Sequence, residues 1–124
     1  MANRHTKPEE EKLPSDIQSE IVLRIASYAQ AKNKKFSIDP FTIMAILNCI
    51  IAVVKLLYMC YSTESISAKM KKGSVIHNLL LKREIRKRFN SKDDRQAVYE
   101  GMLQVSKSLS GKELNDLLDS IKNV

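Results

Sequence analysis

Seven consecutive residues, Lys82-Arg83-Glu84-Ile85-Arg86-Lys87-Arg88, include five cations. Wound as a helix, Leu81, Ile85 and Phe89 fall at four-residue spacing and form an apolar line. Lys82, Arg83, Arg86, Lys87 and Arg88 are then expected to project around the remaining face. Ammonium and guanidinium groups so arranged suit an anionic partner: an acidic protein face, nucleic-acid phosphates or lipid head groups. The simpler alternative is a solvated helix face whose cations favour the C-terminal end of the helix dipole. No stacking aromatics interleave the run, so sequence-specific or single-strand nucleic-acid recognition is poorly supported.

Other reactive residue types are scattered. His5 and His77 stand in no metal-ligand spacing with Cys49 and Cys60. No Gly-rich phosphate loop or nucleophile elbow is present. Asp93-Asp94 opens a helix, where the dipole alone accounts for two acids. The expectation is therefore no enzyme, no metal and no cofactor. Cys49 and Cys60, on one helix, would lie about 16 Å apart along its axis, beyond disulfide reach. They read as two buried free thiols in a reducing compartment. The first twelve residues are polar with no apolar signal region, so secretion is not expected.

The elements that must position these groups are all helical. Three Gly and three Pro among 124 residues are too few for the turns of an all-β fold, and 44% apolar residues suffice for one packed core. Residues 1–14 read as an extended charged arm. Ser15 with Gln18 matches a capping box, and Ile17, Ile21, Ile25 and Tyr28, flanked by Val22 and Ala29, give a first helical stripe. Asp39-Pro40 is a strong start for an apolar helix expected to run to about residue 72, where Gly73 stops it. Ser74 caps a basic helix over about 75–89. Ser91 opens a further helix with Val98, Met102, Val105 and Leu109. Ser110 with Glu113 caps a short last one with Leu114, Leu117, Leu118 and Ile121. This makes a single all-α domain over 15–124: a small bundle of about five helices around one long apolar central helix.

The segment from Phe41 to Tyr61 poses the main alternative. Its twenty-one residues would span about 31 Å, close to a bilayer core. Asn48 and Lys55, seven residues apart, share one helix face. An intramembrane Lys costs about 2.5–3.5 kcal/mol, against roughly 0.3–0.6 kcal/mol returned by each large aliphatic residue, so the sum sits near zero. Lysines and arginines flank both ends almost symmetrically and give no orientation. The balance favours a buried core helix, with a membrane span as the alternative. Ile50 belongs to its packing face. Asn48 and Lys55 are either a satisfied polar pair near solvent or a register-setting pair against a partner.

The formal charge of +7 is concentrated in the middle of the chain, beside its most apolar segment, which again favours an anionic partner. The polar arm and the Asp39-Pro40-opened apolar helix ending in Lys55-Leu56-Leu57-Tyr58-Met59-Cys60 resemble, in style, small proteins of tailed bacteriophages. The resemblance covers roughly a third of the chain, includes no specific motif, and implies a virion or assembly role without residue roles to transfer. The function expected is a non-catalytic structural or adaptor subunit, with protein partners in a larger assembly or a second copy of itself. It would sit in the cytoplasm or within an assembled particle. The alternatives are a single-pass membrane protein with a basic juxtamembrane helix, and a non-specific nucleic-acid binder.

Overall fold

The computed structural model describes residues 3–122, with side chains from residue 17 onward. The described residues form six helices and no strand: α1 (Asn3–Lys32), α2 (Pro40–Tyr58), α3 (Thr63–Lys72), α4 (Val75–Arg88), α5 (Lys92–Ser108) and α6 (Gly111–Lys122). Two boundaries differ from the sequence reading. The chain is already helical at Asn3, so residues 3–14 of the expected arm join the first helix and Ser15 does not start it. The strong helix formers Glu9-Glu10-Glu11-Lys12 carry it between Pro8 and Pro14.

The second difference splits the long central helix. Its last turn closes on Leu57, whose carbonyl accepts from the amides of Cys60 and Tyr61 at 3.0 and 2.8 Å. Ser62 then turns extended, and its hydroxyl accepts from the Ser65 amide at 3.3 Å. Glu64 lies in the first turn of α3, where the helix dipole favours an acid. A new N-terminus at Ser62 thus interrupts the helix ahead of Gly73, giving six helices rather than about five. Gly73 still ends α3: its φ of 67° is left-handed, which glycine adopts without Cβ strain.

The remaining starts follow their capping residues. Asp39 accepts from the Thr42 amide at 2.8 Å with Pro40 behind it. Ser74 accepts from His77 and Ser91 from Asp94, each at 3.3 Å. Ser110 and Glu113 form a reciprocal box: the Glu113 amide donates to the Ser110 hydroxyl at 3.1 Å, and the Ser110 amide donates to the Glu113 carboxylate at 3.0 Å.

One core joins all six helices. From α1 it takes Ile21, Val22, Ile25, Ala26 and Ala29; from α2, Ile46, Cys49, Ile50, Val53, Val54 and Leu57; from α6, Leu114, Leu117, Leu118 and Ile121. The central helix α2 packs against α1, α3, α4 and α6. Its burial is one-sided, because the outer stripe of Phe41, Met44, Asn48, Lys55 and Met59 faces solvent.

Candidate interaction surfaces

In α4 the expected apolar line holds: Leu81, Ile85 and Phe89 are all buried. The same inward surface also takes in two polar groups, His77 and Glu84. The Glu84 side chain is only 3% exposed and is satisfied by the basic run itself. Arg88 Nη1 donates to Glu84 Oε1 at 2.7 Å, and Lys87 Nζ to Oε2 at 3.3 Å, while Arg83 Nε stands 3.7 Å away. Arg88 also donates to the Glu84 carbonyl at 3.1 Å. Burial alone would raise the Glu84 carboxyl; the hydrogen bonds from Arg88 and Lys87 outweigh it and hold the carboxyl below its ordinary range.

Lys82, Arg83, Arg86 and Lys87 are exposed and Arg88 half-buried, but Lys87 and Arg88 also bind the acid within the run. Helical spacing explains why: Lys87 and Arg88 lie three and four residues beyond Glu84 and curl back over it. Lys82 and Arg86 point to the other side, toward α5. There they line a cleft with Lys92, Arg95 and Tyr99, floored by Ile85. Lys82 Nζ lies 5.1 Å from the centre of the Tyr99 ring. Arg95 Nε donates to the Phe89 carbonyl at 2.6 Å. Residues 92, 95, 96 and 99 share one face of α5, whereas Asp93 and Glu100 lie on the next face and line a separate depression with Lys32. Lys92, Arg95 and Tyr99 were missed in the sequence because they belong to another helix. The available signal was the three- and four-residue spacing that separates them from the neighbouring acids.

On α2, Ile50 is buried as expected, while Asn48 and Lys55 are exposed. Along the same stripe Phe41 is 88% exposed, with Met44 also open, and Met59 just beyond the helix end is 78% exposed. The first turns of α4 add Val75, Ile76 and Leu79, the first of them 75% exposed. Phe36, preceding α2, meets Phe89, closing α4, at a ring-centre distance of 6.3 Å, and the two helices pack directly. Of the eight exposed large apolar residues among those described, six belong to α2, its cap Met59 and α4. Leu23 and Ile38 complete the set.

The cysteines and the second histidine do not combine into a reactive site. Cys60 lies past the end of α2 and is exposed, so the expected pair of buried thiols reduces to Cys49. Burial pushes the Cys49 thiol up to about 11 despite the nearby Arg88 guanidinium, which keeps it protonated and unreactive. His77 is 1% exposed, its Nδ1 has no hydrogen-bond partner, and burial lowers its pKa to about 4. It lines an apolar interior cavity of about 20 Å³ together with Ser106, Ile50 and Leu81, room for about one water molecule. Among the described residues no group of three or more His, Cys, Asp or Glu could hold a metal ion. His5 lies outside the residues with described side chains.

These elements define the class of the protein as an all-α helical bundle with one basic cleft and one partly apolar outer face. No protein-family model matches the chain, and neither a curated protein nor a solved structure matches it.

Proposed function

We propose that the protein is a non-catalytic structural or adaptor subunit that docks onto a protein partner through the outer face of α2 and α4. The observation that carries this reading is that six of the eight exposed large apolar residues among those described, Phe41, Met44, Met59, Val75, Ile76 and Leu79, stand on two helices that pack together. Single exposed apolar residues are ordinary, whereas a grouped set marks an interaction surface. Lys55 and Asn48 stand within the α2 stripe, where pressing it into hydrocarbon would desolvate a charge and an amide. A protein surface can supply partners for both. Methionines at two positions of the stripe suit such a contact, since their flexible side chains adapt to a partner's shape. A particle such as a virion is the assembly that the sequence resemblance implies.

The test replaces Phe41, Met59 and Leu79 with Ser in the full chain. Thermal stability is expected to stay within about 0.5 kcal/mol of wild type, because these residues bury little. Co-purification with the native assembly is expected to be lost. A triple variant that co-purifies as wild type does removes the reading.

A second reading, a single membrane span, is favoured by one observation. Pro40–Tyr58 is long and apolar enough to cross a bilayer, with a mean hydropathy of 2.2 and only 33% of its window buried. Detergent-free expression separates the two. Recovery in the soluble fraction supports the docking face, and recovery only in membranes, resistant to alkaline carbonate, supports the span.

A further inference from the structure

We propose that the cleft between α4 and α5 is a binding site for a phosphomonoester dianion, separate from the apolar docking face. Four cations line it, Lys82 and Arg86 from α4 and Lys92 and Arg95 from α5, and its lining holds no acid. The acids of the neighbouring segments are turned elsewhere. Glu84 is buried beneath Lys87 and Arg88, Asp94 accepts from Asn33 at 2.9 Å, and Asp93 and Glu100 line an adjoining depression across Gln96, whose amide donates to Glu100 at 2.6 Å. The cleft is thus a concentration of positive charge with no internal counter-charge, unlike the Glu84 cluster one face away.

Two of the four cations are already positioned. Arg95 is anchored through Nε on the Phe89 carbonyl, which fixes its guanidinium and leaves its terminal nitrogens for a ligand. Lys82 rests over the Tyr99 ring, an arrangement that attracts a cation electrostatically. Arg86 and Lys92 make no ion pair or hydrogen bond among the described residues. Their like charges repel one another across the cleft, and a bound dianion removes that repulsion.

The chemistry favours phosphate over carboxylate. A phosphomonoester carries about −1.5 to −2 charges and three acceptor oxygens, and paired guanidinium forks match such oxygens in two-pronged hydrogen bonds. The shape favours a compact group over a duplex. The cations face one another across a concave space between two helices, rather than forming a stripe that follows an extended backbone. A free phosphorylated metabolite and a lipid phosphomonoester head group present the same chemistry.

The experiment titrates the full chain with inorganic phosphate and with glycerol phosphate, following backbone amide shifts by NMR. Saturable shifts concentrated between residues 82 and 99 are expected. Arg86→Glu with Lys92→Glu is expected to weaken binding by more than about tenfold, the loss appropriate to charge-assisted hydrogen bonds. Lys34→Glu with Lys35→Glu makes the same change in net charge at exposed sites outside the cleft, and is expected to change binding less than about twofold. Should the first variant melt early, Arg86→Gln with Lys92→Gln replaces it. Phosphatidylcholine vesicles with and without phosphatidic acid distinguish a lipid source from a free one. Absence of saturable binding by either phosphate, or equal losses in the two charge-matched variants, overturns the proposal. So does binding of duplex DNA that glycerol phosphate does not displace.

Discussion

His77 is enclosed by the core, and its Nδ1 meets no donor. With its pKa lowered from 6.5 to about 4 by burial, the folded chain holds the ring neutral where the unfolded chain would protonate it. Stability is therefore full above about pH 6.5, falls as the pH drops toward 4, and levels off below that. The wild type is expected to lose about 2 kcal/mol between about pH 7.5 and pH 5, measured by urea unfolding. His77→Leu should lose far less over that interval, and an equal loss in both chains would show that other groups dominate. The carboxylates held low by their partners, Asp39 by the Thr42 amide, Glu84 by Arg88 and Lys87 against its burial, and Glu113 by the Ser110 amide and Arg24, add to acid loss at lower pH. At this scale the sequence was informative about Leu81, Ile85 and Phe89, whose spacing is visible in the chain. It was uninformative about Glu84. A lone acid among five cations reads as solvated until α2 covers the surface of α4 on which it stands.

Each helix start marked by a side chain that reaches its own amides could be read locally, which is why Asp39, Ser74, Ser91 and Ser110 all cap where expected. Ser62 acts in the same way, yet no Gly or Pro stands between the apolar run ending at Tyr61 and the polar residues of α3, and the later Gly73 is the more conspicuous stop. Spacing between helices is not local at all. Gly101 on α5 faces α1 so closely that an added Cβ would lie 3.0 Å from the Ile25 carbonyl oxygen and 3.4 Å from Ile25 Cγ2. A backbone carbonyl cannot swing aside as a flexible side chain can. Gly101→Ala would gain about 1 kcal/mol in helix propensity but incur about 1–3 kcal/mol of overpacking. A net loss of about 1 kcal/mol is expected, with Gly101→Val losing more, read as lower thermal midpoints. A midpoint raised by the Ala variant would show that this contact does not set the distance between α1 and α5.

Across the whole molecule the last helix packs back onto α1 and α2. Arg24 on α1 donates to Glu113 on α6 at 2.8 Å, Gln18 to Ser120 at 3.0 Å, and the Tyr58 hydroxyl to the Leu118 carbonyl at 3.3 Å. Lys71 from α3 reaches the Leu109 carbonyl, just ahead of α6. Read alone, the apolar stripe of α6 suits docking on its own bundle or on a neighbour. The structure packs it at home, against α1, α2 and α3. Leu114, Leu117, Leu118 and Ile121 are each at most 2% exposed. Burying four such side chains contributes about 6–12 kcal/mol, as much as the whole stability of a typical domain, about 5–15 kcal/mol. Removing them would also uncover the inner faces of α1 and α2. Deleting residues 110–124 is therefore expected to abolish the cooperative melt and most of the helical circular dichroism. By contrast, Lys112→Ala, which breaks only the exposed pair with Asp116, should change stability by less than about 1 kcal/mol. A truncated chain that still unfolds in one sharp transition would show that the first five helices hold their core unaided. The contacts of α6 with α1 and α2 would then contribute little to it.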